Sequence, residues 1–209
     1  MKIIILGAGG LARELYWHLR GAGPVDCVFV DDVTDRTQFV MEGRSVPVVK
    51  DWHFDEGFVE FLVGVGEPAA KKTFVAKALA AGLRPARTFV HPRALVQADD
   101  CSVGCGGLVA PGCILTTNIR LGDLVILNLG TTVGHDSRMA DLVTCNPGCI
   151  VSGNVSLGEG VSLGTGTAVR EKITVAEWVV SGAQSCIVSD ILTPGVTVVG
   201  VPARPMLRR

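Results

Sequence analysis

The sequence predicts two joined parts, a small parallel α/β sheet over residues 1–90 and a parallel β-helix over residues 91–209. Strand-like and helix-like segments alternate in the first part, which is typical of a parallel sheet with helices on its faces. From Val103 to Val199, aliphatic residues recur every six positions. Because a period of six fits neither a helix nor a lone strand over such a length, it indicates the short stacked strands of a β-helix.

The elements of the N-terminal part follow from short aliphatic runs, which predict strands, and longer segments with helical spacing, which predict helices. In chain order they are strand Lys2–Leu6, helix Leu11–Gly21, strand Cys27–Val30, strand Phe61–Val65, helix Ala69–Ala81 and strand Arg87–Val90. His91 and Pro92 then end the pattern.

The turn after the first strand, Gly7-Ala8-Gly9-Gly10-Leu11-Ala12, fits the G-x-G-x-x-G/A pattern of dinucleotide-binding turns, and Asp31 follows 24 residues after Gly7. Its glycines allow a phosphate to approach the start of the next helix. About ninety residues are too few for two mononucleotide-binding halves, so NAD is disfavoured. The sequence favours a nucleotide-linked substrate, with a tight turn that binds nothing as the alternative.

The β-helix is expected to close one triangular coil with every three hexads, so that residues 18 apart lie above one another at the spacing of neighbouring strands. Open strand edges and flat faces favour a homo-oligomer. Seven cysteines in a chain without a readable leader indicate reduced thiols. Cys113, Cys145 and Cys149 fall on inward positions and are predicted to be core residues rather than nucleophiles.

Composition excludes several classes of protein. The chain is 48% hydrophobic, which excludes general disorder, and its net charge of −1 provides no field for binding nucleic acid. No apolar run is long enough for a membrane span, and no signal peptide is readable, so a cytoplasmic location is expected.

His135 is the only one of the four histidines inside the regular hexads. A zinc site of the carbonic anhydrase type needs about three histidines between neighbouring coils, so a metal enzyme is disfavoured. Asp136 can hold the imidazole in one tautomer, and Gly153, one coil later, offers a bare N–H to a developing oxyanion. Asn128, seven residues earlier, is expected to point toward the same corner. The alternative is that His135 is a structural residue with its hydrogen bonds satisfied and no catalytic role.

The chain as a whole resembles the hexapeptide-repeat sugar acetyltransferases, which include sialic acid O-acetyltransferases and N-acetyltransferases of UDP-linked 4-amino-4,6-dideoxy sugars. The segments that carry the resemblance are Gly7–Gly10, Val30–Asp32, Val65-Gly66, His91-Pro92, Ile126–Asn128, Val133–Asp136, Pro147-Gly148, Ser152–Val155 and Val199–Arg204. The resemblance implies a Rossmann-like domain over residues 1–90, a left-handed parallel β-helix over residues 91–209, and a homotrimer with its active sites between protomers.

The resemblance also implies a role for each site residue. His135 would be the general base, Asp136 would raise its basicity, Asn128 would position the acceptor or the histidine, and the Gly153 amide would bind the thioester oxygen. The nucleotide sugar would lie on Gly9, Gly10 and Leu11, with Asp31, Asp32 and Gly66 near its base. Acetyl-CoA would lie near Thr144, Gly153 and Thr165, with its phosphates at Arg204, Arg208 or Arg209.

Three positions depart from the family's pattern. Leu11 stands where many members have a histidine, and Thr144 stands where some have a second histidine. Lys71 or Lys72 lies where relatives often have an arginine, which removes a bidentate phosphate contact. These changes leave the identity of the substrate open.

The function that the resemblance implies is acetyl transfer from acetyl-CoA to the amino group of a nucleotide-linked amino sugar, with a UDP-linked 4-amino-4,6-dideoxy sugar as the expected acceptor. Acetyl-CoA would be a cosubstrate, and no permanently bound cofactor or metal is expected. The alternatives are O-acetylation of sialic acid or a related sugar, a non-catalytic nucleotide-sugar-binding trimer, and a nicotinamide oxidoreductase.

Overall fold

The computed structural model describes residues 1–41, 43–54, 57–96 and 99–206. Its N-terminal part contains two helices and six strands. They are β1 (Lys2–Leu6), α1 (Gly10–Ala22), β2 (Asp26–Val30), β3 (Gln38–Met41), β4 (Arg44–Val49), β5 (Glu60–Val63), α2 (Pro68–Ala80) and β6 (Arg84–Pro85).

These six strands form one sheet in the order β3-β4-β2-β1-β5-β6. Strands β4, β2, β1, β5 and β6 run parallel, whereas β3 pairs antiparallel with β4. The sheet is therefore mixed, and the prediction of an entirely parallel sheet is wrong at this edge. The central strand β1 has Ile3–Leu6 fully buried, as expected for a strand with helices packed on a parallel sheet.

The second part is a parallel β-helix of mostly two-residue strands on three faces. The first face contains β7 (Phe89–Val90), β10 (Leu108–Val109), β13 (Ile126–Leu127), β16 (Thr144–Cys145), β19 (Ser162–Leu163), β22 (Val180–Ser181), β24 (Thr197–Val199) and β25 (Arg204–Pro205). The second contains β8 (Leu95–Val96), β11 (Ile114–Leu115), β14 (Thr132–Val133), β17 (Ile150–Val151), β20 (Ala168–Val169) and β23 (Cys186–Ile187). The third contains β9 (Ser102–Val103), β12 (Arg120–Leu121), β15 (Arg138–Met139), β18 (Ser156–Leu157) and β21 (Thr174–Val175).

The register confirms the predicted coil through most of the repeat. Ile126 pairs with Thr144, and Thr132 with Ile150, so each strand lies on the strand 18 residues away. The second residue of each pair points inward, as Leu127, Val133 and Met139 show by being almost fully buried. Stacked aliphatic rings thus form the core of this part.

The regular period ends sooner than the sequence predicts. Val198 pairs with Ser181 and is buried, whereas Val199, the residue that the six-residue step would place inside, is 39% exposed. Val180 of β22 pairs with Thr197 of β24, which is one residue closer along the chain than the 18-residue spacing of the earlier pairs on this face. Because side chains alternate across a strand, a shift by one residue turns Val199 to the outer surface.

The predicted core cysteines are buried. Cys113, Cys145 and Cys149 have no exposed surface. Burial raises the pKa of the Cys113 and Cys149 thiols to about 11, which keeps both protonated at neutral pH. This confirms their prediction as small core residues.

Three corners connect the faces, and in each coil the first, second and third corner follow the first, second and third face. The coil that carries His135 has its first corner at residues 128–131, its second at 134–137 and its third at 140–143. The N-terminal part packs on the third corner and the first face. Lys71 on α2 contacts Leu142 and Thr144 there, and Val63 at the end of β5 donates a hydrogen bond to the Gly106 carbonyl.

No helix in the described ranges is both long and apolar enough to cross a membrane.

Candidate active site

His135 lies on the second corner, with its side chain directed away from the prism and 64% exposed. Its Nδ1 is 2.7 Å from Asp136 Oδ2. The other oxygen of Asp136 accepts a 2.6 Å hydrogen bond from the amide of Asn118, one coil below. Asn118 therefore fixes the carboxylate, and the carboxylate fixes the imidazole.

This hydrogen-bond chain determines which ring nitrogen is available for catalysis. The hydrogen bonds from His135 and then Asn118 lower the pKa of the Asp136 carboxyl, so it is ionised at neutral pH. An ionised carboxylate only accepts hydrogen bonds, so Nδ1 of the imidazole carries the proton. Nε2 then has a free lone pair, which a general base needs.

The Nε2 edge of the ring lies against Gly153 on the next coil. A Cβ placed on Gly153 would lie 2.5 Å from His135 Nε2, so only glycine fits against the imidazole. Gly134 is constrained in the same way, since its Cβ would lie 2.6 Å from the Gly153 nitrogen. Among the hydrogen bonds of the described chain, none uses the Gly153 N–H. The corner therefore brings a free imidazole nitrogen and an unused amide together, and their roles as general base and oxyanion donor stay predictions.

A separate cleft of about 400 Å³ lies in the N-terminal part. Its walls are the glycine turn, the loop after β2, the loop after β5 and the first turns of α2. This is the carboxyl edge of the sheet, beside the point where the chain crosses from one side of β1 to the other, the usual place for a ligand in such sheets. Gly9, Gly10, Leu11, Asp31 and Gly66 all line it, and their contact with a nucleotide sugar stays a prediction.

Two helix N-termini border this cleft, and only one of them is capped by a side chain. The carboxylate of Glu67 accepts hydrogen bonds from Ala69 N and Ala70 N, at 3.0 and 2.6 Å, at the start of α2. Helix α1, which follows Gly9, has no side-chain cap. An anionic group is therefore favoured at α1 and disfavoured at α2, where Glu67 already supplies a negative charge.

The two predicted aspartates have different surroundings. Asp31 is buried, and its carboxylate accepts backbone hydrogen bonds from Ala8, Val33 and Thr34, which fixes the glycine turn. Asp32 is outside the lining of the cleft and pairs with Lys77 at 2.6 Å. The hydrogen bond from Lys77 lowers the pKa of Asp32. For both aspartates, a contact with the nucleotide base stays a prediction.

The structure places four further predicted residues away from His135. Asn128 is on the first corner, where its Oδ1 accepts a hydrogen bond from Leu129 N. The expectation that it points toward the His135 corner is therefore wrong. Thr144 is buried between the two parts of the chain and donates to the Gly66 carbonyl at 2.7 Å. Thr165 is exposed on the first corner of a later coil, and Arg204 lies near the C-terminus beside a cavity of about 230 Å³. Their proposed contacts with acetyl-CoA or acceptor stay predictions, and Arg208 and Arg209 lie outside the described residues.

Asn118 and Glu67 are site residues that the sequence analysis missed. Asn118 stands 18 residues, or one coil, before Asp136, so the repeat itself predicts that the two side chains are neighbours. Glu67 immediately precedes Pro68, and an acidic residue before a helix-initiating proline is a recognisable N-cap signal. Among the described residues there is no group of three or more His, Cys, Asp or Glu side chains that could hold a metal ion.

Comparison with known proteins identifies the family. The acetyltransferase domain of PglB from Neisseria gonorrhoeae is 33% identical, with 98% of this chain and 99% of that chain covered and a TM-score of 0.84. The chain belongs to the hexapeptide-repeat sugar N-acetyltransferases. Enzymes of this family use acetyl-CoA as a cosubstrate, and another structure of the PglB domain contains acetyl coenzyme A.

The descriptions of two similar proteins name an acceptor sugar. One is a histidine-to-asparagine mutant of perosamine N-acetyltransferase from Caulobacter crescentus, in complex with CoA and GDP-perosamine. It is 25% identical, with 100% of this chain and 98% of that chain covered and a TM-score of 0.84. The GDP-perosamine N-acetyltransferase of Escherichia coli O157:H7 is 26% identical over 155 residues, which are 67% of this chain and 65% of the length of that protein. No family model matches the chain.

Proposed function

We propose that this protein transfers the acetyl group of acetyl-CoA to the amine of a nucleotide-linked amino sugar. The observation that carries the proposal is the second corner, where Asp136 holds His135 with Nε2 free beside the unused Gly153 amide. Family membership supplies the class of reaction. The left-handed coil and the Rossmann-like nucleotide-sugar domain that the resemblance implies are part of the proposal.

The reaction needs no covalent enzyme intermediate. The sugar amine attacks the thioester carbon as His135 Nε2 takes a proton from the nitrogen. The Gly153 N–H donates to the oxygen that becomes negative, and the C–S bond then breaks. The imidazolium returns its proton to the CoA thiolate. Asp136, held by Asn118, stabilises the imidazolium between the two proton transfers.

We propose that the cleft holds the nucleotide sugar with its phosphates at the start of α1. Gly9 and Gly10 are exposed there, and a Cβ at either residue would have no atom within 4 Å. The fold itself therefore tolerates a larger residue at these positions. Bare backbone at the uncapped helix start instead suits the close approach of a phosphate.

We expect Gly10→Ala to raise the KM for the nucleotide sugar several-fold and to leave thermal stability unchanged. The added methyl group stands where the phosphate would approach, and it meets no atom of the protein. Gly21→Ala is the matched control, because Gly21 is equally open at the other end of the same helix. Steady-state kinetics of both variants would contradict the placement if the two KM values were equal.

We propose that the cleft and the His135 corner that act on one sugar come from different protomers. None of the residues lining the cleft belongs to the second corner. The outer surface of the second face includes exposed aliphatic side chains at Leu95, Ile114 and Ile150. Burial of such a face against another copy is favourable. We therefore propose a homotrimer in which acetyl-CoA lies between β-helices, near Thr165 and Arg204. A light-scattering mass of one protomer would contradict it.

We propose that the nucleotide is either the uridine diphosphate that the resemblance implies or the guanosine diphosphate of the perosamine-acetylating relatives. A panel of UDP- and GDP-linked 4-amino-4,6-dideoxy sugars, with sialic acid as the O-acetylation arm, separates these acceptors by the release of free CoA thiol. We expect release only with an amino sugar, and mainly with one nucleotide. Release only with sialic acid would support the O-acetyltransferase alternative, and no release with any acceptor would support a non-catalytic trimer.

A further inference from the structure

Ser137 is a buried hydroxyl at the second corner of the β-helix, where the residues directly above and below it are aliphatic. It has no exposed surface and points into the core at the second corner. The corresponding residues of the neighbouring coils are Ile119, Val155 and Ile173, all buried. Since burying a hydroxyl costs free energy that an aliphatic residue avoids, packing at the second corner gives no reason for a serine in this coil.

Both hydrogen bonds of this hydroxyl go to the corner that carries Gly153. Ser137 Oγ donates to the Ser152 carbonyl at 3.0 Å and accepts from Val155 N at 3.1 Å. It thus bridges the two ends of the turn 152–155. At the first corner the corresponding turn is closed directly, by Cys149 N donating to the Asn146 carbonyl.

The Ser152 carbonyl and the Gly153 N–H belong to the same peptide group. The only cis peptide bond of the described residues is Val201–Pro202, so this group is trans and its C=O and N–H point in opposite directions. Because Ser137 holds the carbonyl toward the core, the N–H of the same peptide group points away from the core, at the residue against which the His135 ring lies. A hydrogen bond to the carbonyl also polarises the peptide group and makes its N–H a better donor.

We propose that Ser137 is a positioning residue that orients the Gly153 N–H toward the oxygen of the reacting thioester. The inference rests on the proposed acetyl transfer and on the role of Gly153 in it. Ser137 touches neither substrate, and it acts only through the peptide group between residues 152 and 153.

The test compares Ser137→Ala with Thr131→Val in the full chain. Thr131 is the matched control, because it occupies the same hexad position at the first corner of the same coil, is fully buried and donates to the Asn146 carbonyl. We expect Ser137→Ala to lower kcat about tenfold, a fraction of the loss seen when an oxyanion donor is removed. KM for the acceptor and the pH at half-maximal kcat should stay within the error of the wild type, because His135 and Asp136 are intact. Thr131→Val should change the melting temperature about as much as Ser137→Ala does, but it should leave kcat unchanged.

Ser137→Thr should restore kcat, since it keeps the hydroxyl and since threonine is accommodated at the equivalent positions 131 and 167. An unaltered kcat in Ser137→Ala would overturn the proposal, as would an equal loss in Thr131→Val or a failure of Ser137→Thr to restore turnover. These outcomes are distinct from failure of the proposed function, in which the wild-type protein itself would release no CoA with any acceptor.

Discussion

His135→Ala is expected to lower turnover by about 100-fold or more while acetyl-CoA still binds. The substitution removes the only group at the second corner that can accept a proton from the sugar amine, since Asp136 has a lowered pKa and its two oxygens face His135 and Asn118. Gly153 would keep its amide, so a residual rate should remain. Initial rates of thiol release and titration with CoA measure the two quantities separately.

His53→Ala is the matched control for this experiment. His53 forms a similar exposed pair, with its Nδ1 3.1 Å from Asp51 Oδ1, but it lies outside both the cleft and the second corner. We expect it to turn over like the wild type. Near wild-type turnover in His135→Ala would contradict the assignment of the general base, and equal losses in both variants would assign the loss to something other than the reaction centre.

The β-helix was predictable because its period fixes both the side and the height of every residue. His135, Asp136 and Gly153 are related by steps of one residue and one coil, and the structure brings them together. Asn128 was misplaced because seven residues is one corner plus one position, which leads to the preceding corner of the prism. Val199 was misplaced because a single shortened connection changes the register of everything after it.

The parts of the fold that depend on tertiary packing were harder to predict. The antiparallel hairpin β3–β4 lies at the edge of the sheet, and its half-exposed strands lack the continuous aliphatic runs of β1 and β2. Lys71 and Lys72 are adjacent lysines on α2, and the local sequence does not distinguish them. The structure does, because Lys72 is exposed and pairs with Glu159, whereas Lys71 has no exposed surface.

Lys71 joins the two parts of the chain through hydrogen bonds to the third corner. Its Nζ lies 2.9 Å from the Leu124 carbonyl, 3.1 Å from the Leu142 carbonyl and 2.8 Å from the Thr144 hydroxyl. Among the hydrogen bonds of the described residues, these two carbonyls accept no other. Thr144 in turn donates to Gly66 at the cleft, so Lys71 also supports the wall of the proposed substrate site.

Lys71→Met is expected to lower the free energy of unfolding by several kcal/mol at about pH 10, where the buried amine is neutral in the folded protein and its deprotonation costs little. Methionine fills a similar volume but donates nothing, and each buried carbonyl left without a partner costs about 1–3 kcal/mol. Lys72→Met is the matched control on the same helix, because an exposed ion pair contributes only about 0–1 kcal/mol. Urea denaturation of the two variants measures both effects, and equal losses would contradict a special role for the buried lysine.

Lys71 also predicts how stability depends on pH. Burial lowers the pKa of its ammonium group from 10.5 to about 7. Between these values the unfolded chain binds a proton that the folded chain does not, so the contribution of this group to stability rises with pH above 7 and is constant below it. From pH 7 to 8 the gain is about 1 kcal/mol.

At higher pH an opposing effect begins, which the comparison of variants removes. Burial raises the pKa of the Cys113 and Cys149 thiols, so their ionisation in the unfolded chain lowers stability as the pH rises above about 8.5. These thiols are common to wild type and Lys71→Met, and they cancel in the difference between the two unfolding free energies. That difference should therefore grow by about 1 kcal/mol from pH 7 to 8. A difference that stays constant or shrinks over this range would show that Lys71 remains charged in the folded protein.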